Sequence, residues 1–201
     1  MATIEEIISD SRFNLEPGQM SIFDGLKYMT DAHHKHGAIF TLFSLGSGQK
    51  FTYKINRNTD KNCTMWWLYL LTGPNNTSDY TYMGTIIYKY SPEFSCQKLQ
   101  LVSTAATKMT ADAPSWKAIT AALKYFQYQP ENMVPLLDKL KIYHDGHCSK
   151  CHKELTDIVS LAVGQGPICA PLAHAAYKAE CKVRKIELPK KSKQTKLYET
   201  N

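Results

Sequence analysis

The sequence lacks any apolar run of about eighteen residues, the length that a membrane-spanning helix requires. Its first fifteen residues carry acidic side chains where a secretion signal carries basic ones. A disordered chain is also excluded, because 43% of the residues are hydrophobic and can form a packed interior. We therefore expect a globular cytoplasmic protein that has no membrane partner.

Recognisable catalytic motifs are also missing. The segment "GSGQK" from Gly46 is too short to cradle a phosphate group. No Ser-His-Asp or paired-carboxylate arrangement stands out along the chain, and there is no internal repeat. The sequence consequently predicts a binding protein that is not an enzyme, and it leaves the oligomeric state open.

Positive charge is concentrated towards the C-terminal end. The net charge is +6, and from residue 178 onward there are eight basic residues against three acidic ones. Such a segment either neutralises nucleic-acid phosphates or remains a solvated, disordered end. If it binds nucleic acid, the expected contacts are Lys182, Arg184, Lys185, Lys190, Lys191 and Lys193.

Hydrophobic spacing predicts an α+β fold. Residues 1–36 have apolar residues three or four apart and form an N-terminal helical segment. Residues 37–134 form a β-rich core domain, in which five runs with a period of two predict an antiparallel sheet of about five strands. The stretch "DAPSWKAITAALKYFQYQP" at the end of this domain returns to a helical period, and its apolar stripe is expected to pack on one face of the sheet.

Three cysteines in the following segment have the spacing of metal ligands, namely Cys148, Cys151 and Cys169. Two cysteines three residues apart on a tight turn direct both sulfurs at one centre, as a tetrahedral zinc site requires. A redox Cys-Ser-Lys-Cys pair is the alternative. It is disfavoured because a thioredoxin-type pair opens a helix in a βαβ unit, whereas this pair precedes the extended run "KELTD".

The residues around Cys169 predict how the third sulfur is presented. In "GQGPICA", two glycines and a proline precede the cysteine, which predicts a helix whose first turn contains it. Pro171 leaves a second possibility open, in which this helix makes one turn and restarts at Pro171. The helix dipole would then favour the thiolate form. A knuckle, a hairpin and a helix start together form a treble clef. We therefore predict a small treble-clef-like zinc unit over residues 135–185, followed by a basic tail over 186–201.

The fourth ligand is chosen by geometry. On a helix that follows Cys169, Cys181 would lie about 18 Å away along the axis, and His174 would be rotated by roughly 140°. Histidines that adjoin the knuckle cysteines would need strained side chains. His144 enters on the preceding strand and can fold over the knuckle, unless it is a surface histidine. The predicted site is a closed, structural Zn²⁺ site, which has no position for water, made of His144, Cys148, Cys151 and Cys169.

The segment "YHDGHCSKCHKELTDIVSLAVGQGPICA" resembles the C-terminal zinc-finger-like segment of a family of bacteriophage and prophage proteins of unassigned function. The shared pattern is a histidine, three residues, Cys-x2-Cys, a Leu-Thr pair, a serine and Gly-x-Gly-Pro-x-Cys. "LTGPNNTSDYTYMGTI" and "TADAPSWKAITAALKY" are similar to the same proteins in a weaker way. The resemblance implies a phage origin and expression in the cytoplasm of an infected bacterial host, and it implies no particular reaction.

Two functions follow as expectations. The first is a phage-encoded, zinc-binding accessory protein that binds nucleic acid through basic and aromatic surfaces; "MWWLYLL" and the tyrosines could stack on bases, although core packing also accounts for them. The alternative is a protein-binding module that binds or inhibits a host protein, in host takeover or against host defence. The histidines of "HHKHG" at 33–37 are explained by their position at a helix C-terminus, where the dipole favours them.

Overall fold

The computed structural model describes residues 3–13, 15–58, 64–92 and 95–187. Within these ranges no helix is both long and apolar enough to span a membrane. A 3-10 turn at Val134–Leu136 precedes the last strand. The helices and strands in chain order are α1 (Ile4–Phe13), β1 (Gln19–Met20), α2 (Gly25–Thr30), β2 (Ala38–Ser44), β3 (Lys50–Arg57), β4 (Met65–Leu71), β5 (Tyr80–Ser91), β6 (Cys96–Val102), α3 (Pro114–Tyr125), α4 (Pro130–Met133), β7 (Leu140–His144), α5 (Ile158–Val163) and α6 (Pro171–Val183).

One antiparallel sheet organises the fold, with the strand order β1-β7-β2-β3-β4-β5-β6. The predicted α+β class is confirmed, but the prediction of about five strands is wrong because the sheet has seven. The additional strands are β1 and β7, and β7 pairs with β1 on one side and β2 on the other. Strands from the segments assigned to 1–36 and 135–185 therefore join the sheet of the 37–134 unit, whose boundaries remain predictions.

One face of the sheet is covered by α2 and α3 and carries the main hydrophobic core. The predicted stripe of α3 is buried there, with Ile119 fully enclosed. Two hydrogen bonds tie the helices to the strands: the Tyr53 hydroxyl donates to the carbonyl oxygen of Ser115 at 2.7 Å, and the Trp66 indole donates to that of Thr30 at 3.0 Å. Large side chains with polar tips are thus satisfied inside this core.

The other face carries partly exposed side chains, as alternation along the strands requires. We call it the open face and define it by Lys54, Trp67, Tyr69 and Tyr82. Lys54 is directly opposite Tyr69, and Tyr69 is opposite Tyr82, so these three form a row across β3, β4 and β5. Trp67 lies on the same strand as Tyr69 and keeps 37% of its surface exposed.

A second, smaller core joins the two ends of the described chain. Residues of α5 and α6 pack together there with Phe13 and Leu15. The Phe13 and Tyr177 rings lie with centroids 4.6 Å apart. Arg12 donates two 2.8 Å hydrogen bonds to Asp24, which anchors α1 against the segment before α2. The N-terminal helix is therefore held from two directions.

Candidate metal centre

The knuckle begins directly after β7 as a tight hairpin turn. The Cys148 amide donates to the Lys153 carbonyl oxygen at 2.8 Å, and the His152 amide donates to the Cys148 carbonyl oxygen at 2.8 Å. Gly146 and His152 adopt positive φ angles of 82° and 58°. Glycine reaches this region without strain, whereas a histidine does so rarely, so the turn is held by its surroundings. This geometry presents Cys148 and Cys151 on the same side of the loop.

The connection to the third cysteine is helical. Asp157 caps α5 by accepting a hydrogen bond from the Ser160 amide at 3.0 Å, and Gly164 ends the helix in the left-handed conformation with a φ of 71°. The order Asp-x-x-Ser was present in the sequence as a capping signal that the prediction did not use. The connection between the knuckle and Cys169 is therefore the helix α5, whereas a treble clef has a β-hairpin at this position.

Cys169 lies two residues before α6, which begins at Pro171. Cys169 is therefore not inside α6: a single turn follows Pro167 and the helix starts again at Pro171, which is the alternative that the second proline indicates in the sequence. The Cys169 amide instead donates to the Gly166 carbonyl oxygen at 3.0 Å, in a separate turn. The sulfur reaches the knuckle from this turn.

The three thiols converge. The Sγ atoms of Cys148, Cys151 and Cys169 all lie within 4.8 Å of one another. Tetrahedral zinc with Zn–S distances of about 2.3 Å places its sulfur ligands about 3.8 Å apart, which is inside this upper limit. Cys148 is buried, and the other two are more accessible. The predicted grouping of these cysteines is confirmed as a cluster that could hold a metal ion, without identifying the metal.

Backbone donors and like charges act on the thiols in opposite directions. Burial raises the pKa of Cys148, but hydrogen bonds from the backbone amides of Gly166, Cys151 and Lys150 outweigh it, so the net pKa is lowered. At Cys169, burial and the neighbouring Cys151 and Cys148 sulfurs raise the pKa to about 12. Three thiolates at this separation would repel one another. A divalent metal ion would supply the compensating positive charge.

A buried glutamine, Gln165, links the knuckle to the segment after α2 through hydrogen bonds. Gln165 donates from Nε2 to Ser149 Oγ in the knuckle at 2.8 Å and to Asp31 Oδ2 next to α2 at 2.9 Å. Burial opposes ionisation of Asp31, but the hydrogen bonds from Gln165 and Lys27 and the charge of Lys27 lower its pKa overall, so it accepts as a carboxylate. The knuckle is thus connected to the main core through side chains that no spacing pattern in the sequence revealed.

The structure places His144 outside the thiol group. Its Nε2 lies 2.9 Å from the Leu161 carbonyl oxygen, and its Nδ1 accepts a 3.0 Å hydrogen bond from the Gly146 amide. The residue is 3% exposed, and burial lowers its pKa to about 4. Both ring nitrogens therefore have partners within the protein, and the cluster that could hold a metal does not include His144, whose role as the fourth ligand remains a prediction. Among the described residues, the group that could hold a metal ion consists of the three cysteines.

The residues predicted to contact nucleic acid fall into three groups: exposed, ion-paired, and outside the described residues. Lys182 and Lys185 are exposed at the end of α6. Arg184 instead forms ion pairs with Asp10 and Glu180 and lies over the Phe13 ring at 4.9 Å, so it holds α1 against α6. The remaining three predicted contacts lie outside the described residues; they are Lys190, Lys191 and Lys193.

Comparison with known proteins finds one family model, described as a family of unknown function (DUF6011), that matches residues 139–174. This range contains β7, the knuckle, α5 and Cys169. No curated protein and no solved structure matches the chain. The similarity therefore covers the segment that carries the thiol cluster, in agreement with the expected likeness to proteins of unassigned function. The phage origin of the chain remains a prediction.

Proposed function

We propose that this chain is a zinc-binding accessory protein that binds single-stranded nucleic acid on the open face of its sheet. The observation that carries the proposal is the row of Lys54, Tyr69 and Tyr82 beside Trp67. As the sequence resemblance implies, the protein would be phage-encoded and would act in the cytoplasm of an infected bacterium. It would act by binding and not as an enzyme.

In this proposal Cys148, Cys151 and Cys169 hold a structural Zn²⁺ ion. The ion would join the knuckle after β7 to the turn before α6, and so would keep residues 145–170 folded against the sheet. Three thiolates supply three of the four tetrahedral positions, and a water molecule or an outside donor would supply the fourth. The order of a knuckle followed by a helix makes the unit treble-clef-like, with α5 inserted between them.

The open face has the features of a stacking platform. Tyr69 and Tyr82 contact each other edge to face with ring centroids 5.5 Å apart, and Trp67 is displaced by one strand pleat. Aromatic side chains on an exposed sheet stack on bases of any sequence, and each stacked base contributes about 1–3 kcal/mol. Lys54 adds a positive charge for the phosphates in the same row. Lys182, Lys185 and the basic tail would strengthen the electrostatic part.

The test is fluorescence anisotropy with a labelled single-stranded oligonucleotide, titrated with the purified, zinc-loaded protein. Trp67→Ala is expected to weaken binding by about 5-fold to 100-fold, because one stacked base loses its platform. The matched control is Tyr90→Ala, since Tyr90 is also aromatic, lies on β5 and is 60% exposed, but is not part of the open face. Equal binding by both variants, or no binding by the parent protein, would overturn the proposal.

A second candidate function is the binding of a host protein. It is favoured by two apolar side chains beside the thiol cluster, Ile168 and Leu172, which are 90% and 85% exposed. Exposed apolar groups next to a rigid turn are typical of protein contacts. Support for this function would be a host protein that stays bound to the parent protein after nuclease treatment. The same host protein should no longer bind the Ile168→Glu variant. Exposed Val183→Glu provides the control at the far end of α6.

A further inference from the structure

A cleft lies on the same side of the sheet as the open face, next to the knuckle. Its volume is about 590 Å³, within the usual range for small-molecule sites. The floor comes from β2, β3 and β7, and the walls come from the loop after α2, the turn before β5 and the knuckle. We call it the histidine cleft and define it by Lys35, His36, Lys54, Tyr80, His147 and His152.

Histidines from two distant parts of the chain form one wall. The His36 and His152 rings are stacked with centroids 4.7 Å apart and planes 7° apart. His152 also stacks on His147 at 4.7 Å. The positive φ of His152 turns its side chain out of the knuckle and towards the loop after α2. The "HHKHG" segment therefore lies beyond the end of α2 at Thr30, and it contacts the knuckle through His36.

The charges of the cleft favour an anion. Lys35 and Lys54 bring two permanent positive charges, and the three histidines add polar ring nitrogens. Asp145 is the single carboxylate among the lining residues, and it is engaged by the backbone amide of His147 at 3.1 Å. Lys54 Nζ lies 5.7 Å from the centre of the Tyr80 ring, so the two side chains share one corner.

That corner also contains a buried donor. The Tyr80 hydroxyl oxygen is inaccessible to solvent and has no hydrogen-bond partner among the described residues. A buried hydroxyl without a partner costs free energy, which a ligand oxygen would recover when a small rotation of the Tyr80 side chain brings the hydroxyl to the surface of the cleft. Burial and the nearby Asp145 raise the pKa of Tyr80 to about 12, so the hydroxyl keeps its proton at neutral pH and can donate it in a hydrogen bond.

A metal ion fits these residues less well than an anion. A metal needs ligand atoms that converge on one point, and in the described part of the chain the thiols are the group of three that does so. The imidazoles of the cleft are stacked with nearly parallel rings, and the described residues include no group of three ligand atoms that contains them. A tetrahedral oxyanion, by contrast, can accept hydrogen bonds from donors around a wall.

We propose that the histidine cleft binds the phosphate of a phosphate monoester. Lys35 and Lys54 would neutralise its charge, the Tyr80 hydroxyl would donate to one of its oxygens, and Asn76 and Thr77 would border the group that carries it. The phosphate could belong to a free nucleotide or to the 5′ end of a strand lying on the open face. The site does not depend on binding by the open face.

Isothermal titration calorimetry of the full, zinc-loaded chain tests this proposal with adenosine 5′-monophosphate, adenosine and inorganic phosphate as probes. We expect the monophosphate to bind and adenosine to bind at least 10-fold more weakly. Lys35→Ala should weaken binding of the monophosphate by about 10-fold and Tyr80→Phe should weaken it by about 5-fold, since each substitution removes one contact to the phosphate. The control Lys89→Ala, an exposed lysine on β5, should leave its affinity unchanged.

Two further measurements are needed. One identifies the source of the phosphate, and the other tests the histidine cleft independently of the open face. An oligonucleotide with a 5′-phosphate that binds more tightly than both its 5′-hydroxyl form and the mononucleotide would identify a strand end as the ligand; a preference for the mononucleotide would identify a free nucleotide. Trp67→Ala should leave monophosphate binding intact even if the open face proves inactive. Three results would overturn the proposed phosphate site. They are equal affinity for adenosine and its monophosphate, no binding of any phosphate probe, and unchanged affinity for the monophosphate in both Lys35→Ala and Tyr80→Phe.

Discussion

The His144 ring at the end of β7 and the Leu161 carbonyl oxygen in α5 are joined by a 2.9 Å hydrogen bond. Because Nδ1 of the same ring accepts from the Gly146 amide, Nε2 must carry the proton and donate it. The ring is therefore neutral and in a single tautomer. It connects the sheet to the helix that follows the knuckle, which is a structural role next to the thiol cluster.

This arrangement predicts how stability depends on pH. Burial lowers the pKa of His144 from 6.5 to about 4, so the unfolded chain takes up a proton on acidification before the folded protein does. The free energy of unfolding should consequently fall between about pH 6.5 and pH 4, by roughly 3 kcal/mol from this residue, and be constant above that range. Urea unfolding at pH 7.5, 5.5 and 4.5 measures the change.

The variant His144→Asn should be less stable at pH 7.5 and should depend less on pH than the parent protein. The exposed His34→Asn is the control and should retain the full dependence. Because both variants keep the three cysteines, the comparison separates the histidine from any acid release of metal. A His144→Asn protein with an unaltered pH dependence would contradict the assigned tautomer and burial.

Metal content can be predicted from the thiol cluster. Cys148→Ser should reduce bound zinc from one ion per chain to a small fraction, because a buried thiolate with three backbone donors is lost from a three-sulfur set. Cys96→Ser, at an exposed cysteine on β6, should keep one zinc. Elemental analysis by mass spectrometry reads both values. Full zinc in Cys148→Ser would refute the assignment.

The lysines of the tail should govern the salt dependence of nucleic-acid binding. Replacing Lys190, Lys191, Lys193 and Lys196 by glutamine should reduce the slope of log K against log salt concentration by up to about 3 for a single strand. Affinity at low salt should fall, while the contribution of Trp67 should persist. Anisotropy titrations at four salt concentrations measure the slope. An unchanged slope would show that these lysines do not contact phosphates.

Gly84 on β5 should be essential to the sheet. A Cβ atom at this position would lie 2.5 Å from the backbone carbonyl oxygen of Val102 on β6. Backbone cannot move aside without disturbing the strand pairing, so Gly84→Ala should cost about 1–3 kcal/mol of unfolding free energy. Gly46→Ala is the control, because its Cβ would meet open space. Urea denaturation compares them, and equal stability of the two variants would be the contrary result.

Much of the sheet could be predicted because its strands are buried on one side. In β2, Phe40 and Leu42 face the core while Thr41 is half-buried, and this alternation is visible in the letters alone. The strand β1 has two residues, which is too short for any period. Its partner β7 has five residues and is followed at once by the knuckle, so the sequence assigned it to the zinc unit and did not count it among the strands of the sheet.

In the metal centre, too, features set by neighbouring residues could be predicted from the sequence, whereas features set by distant residues could not. The spacing of Cys148 and Cys151 is a local property of one turn and predicts their convergence. His144 has an equally suggestive spacing, yet its ring is taken by Leu161, seventeen residues further on, through a bond that only the packing of α5 creates. The histidine cleft was missed for a similar reason, because His36 meets His152 across more than a hundred residues of chain.

The position of β7 between β1 and β2 also sets an order of events during synthesis on the ribosome. The strands β2 to β6 pair with sequence neighbours and can form hairpins as soon as they emerge, because local contacts form fastest. The strand β1 emerges earlier still but pairs only with β7, so it has no place in the sheet until His144 has been made. The knuckle cysteines Cys148 and Cys151 follow four and seven residues later. The nascent chain would thus complete its sheet just before it gains the means to capture a metal ion.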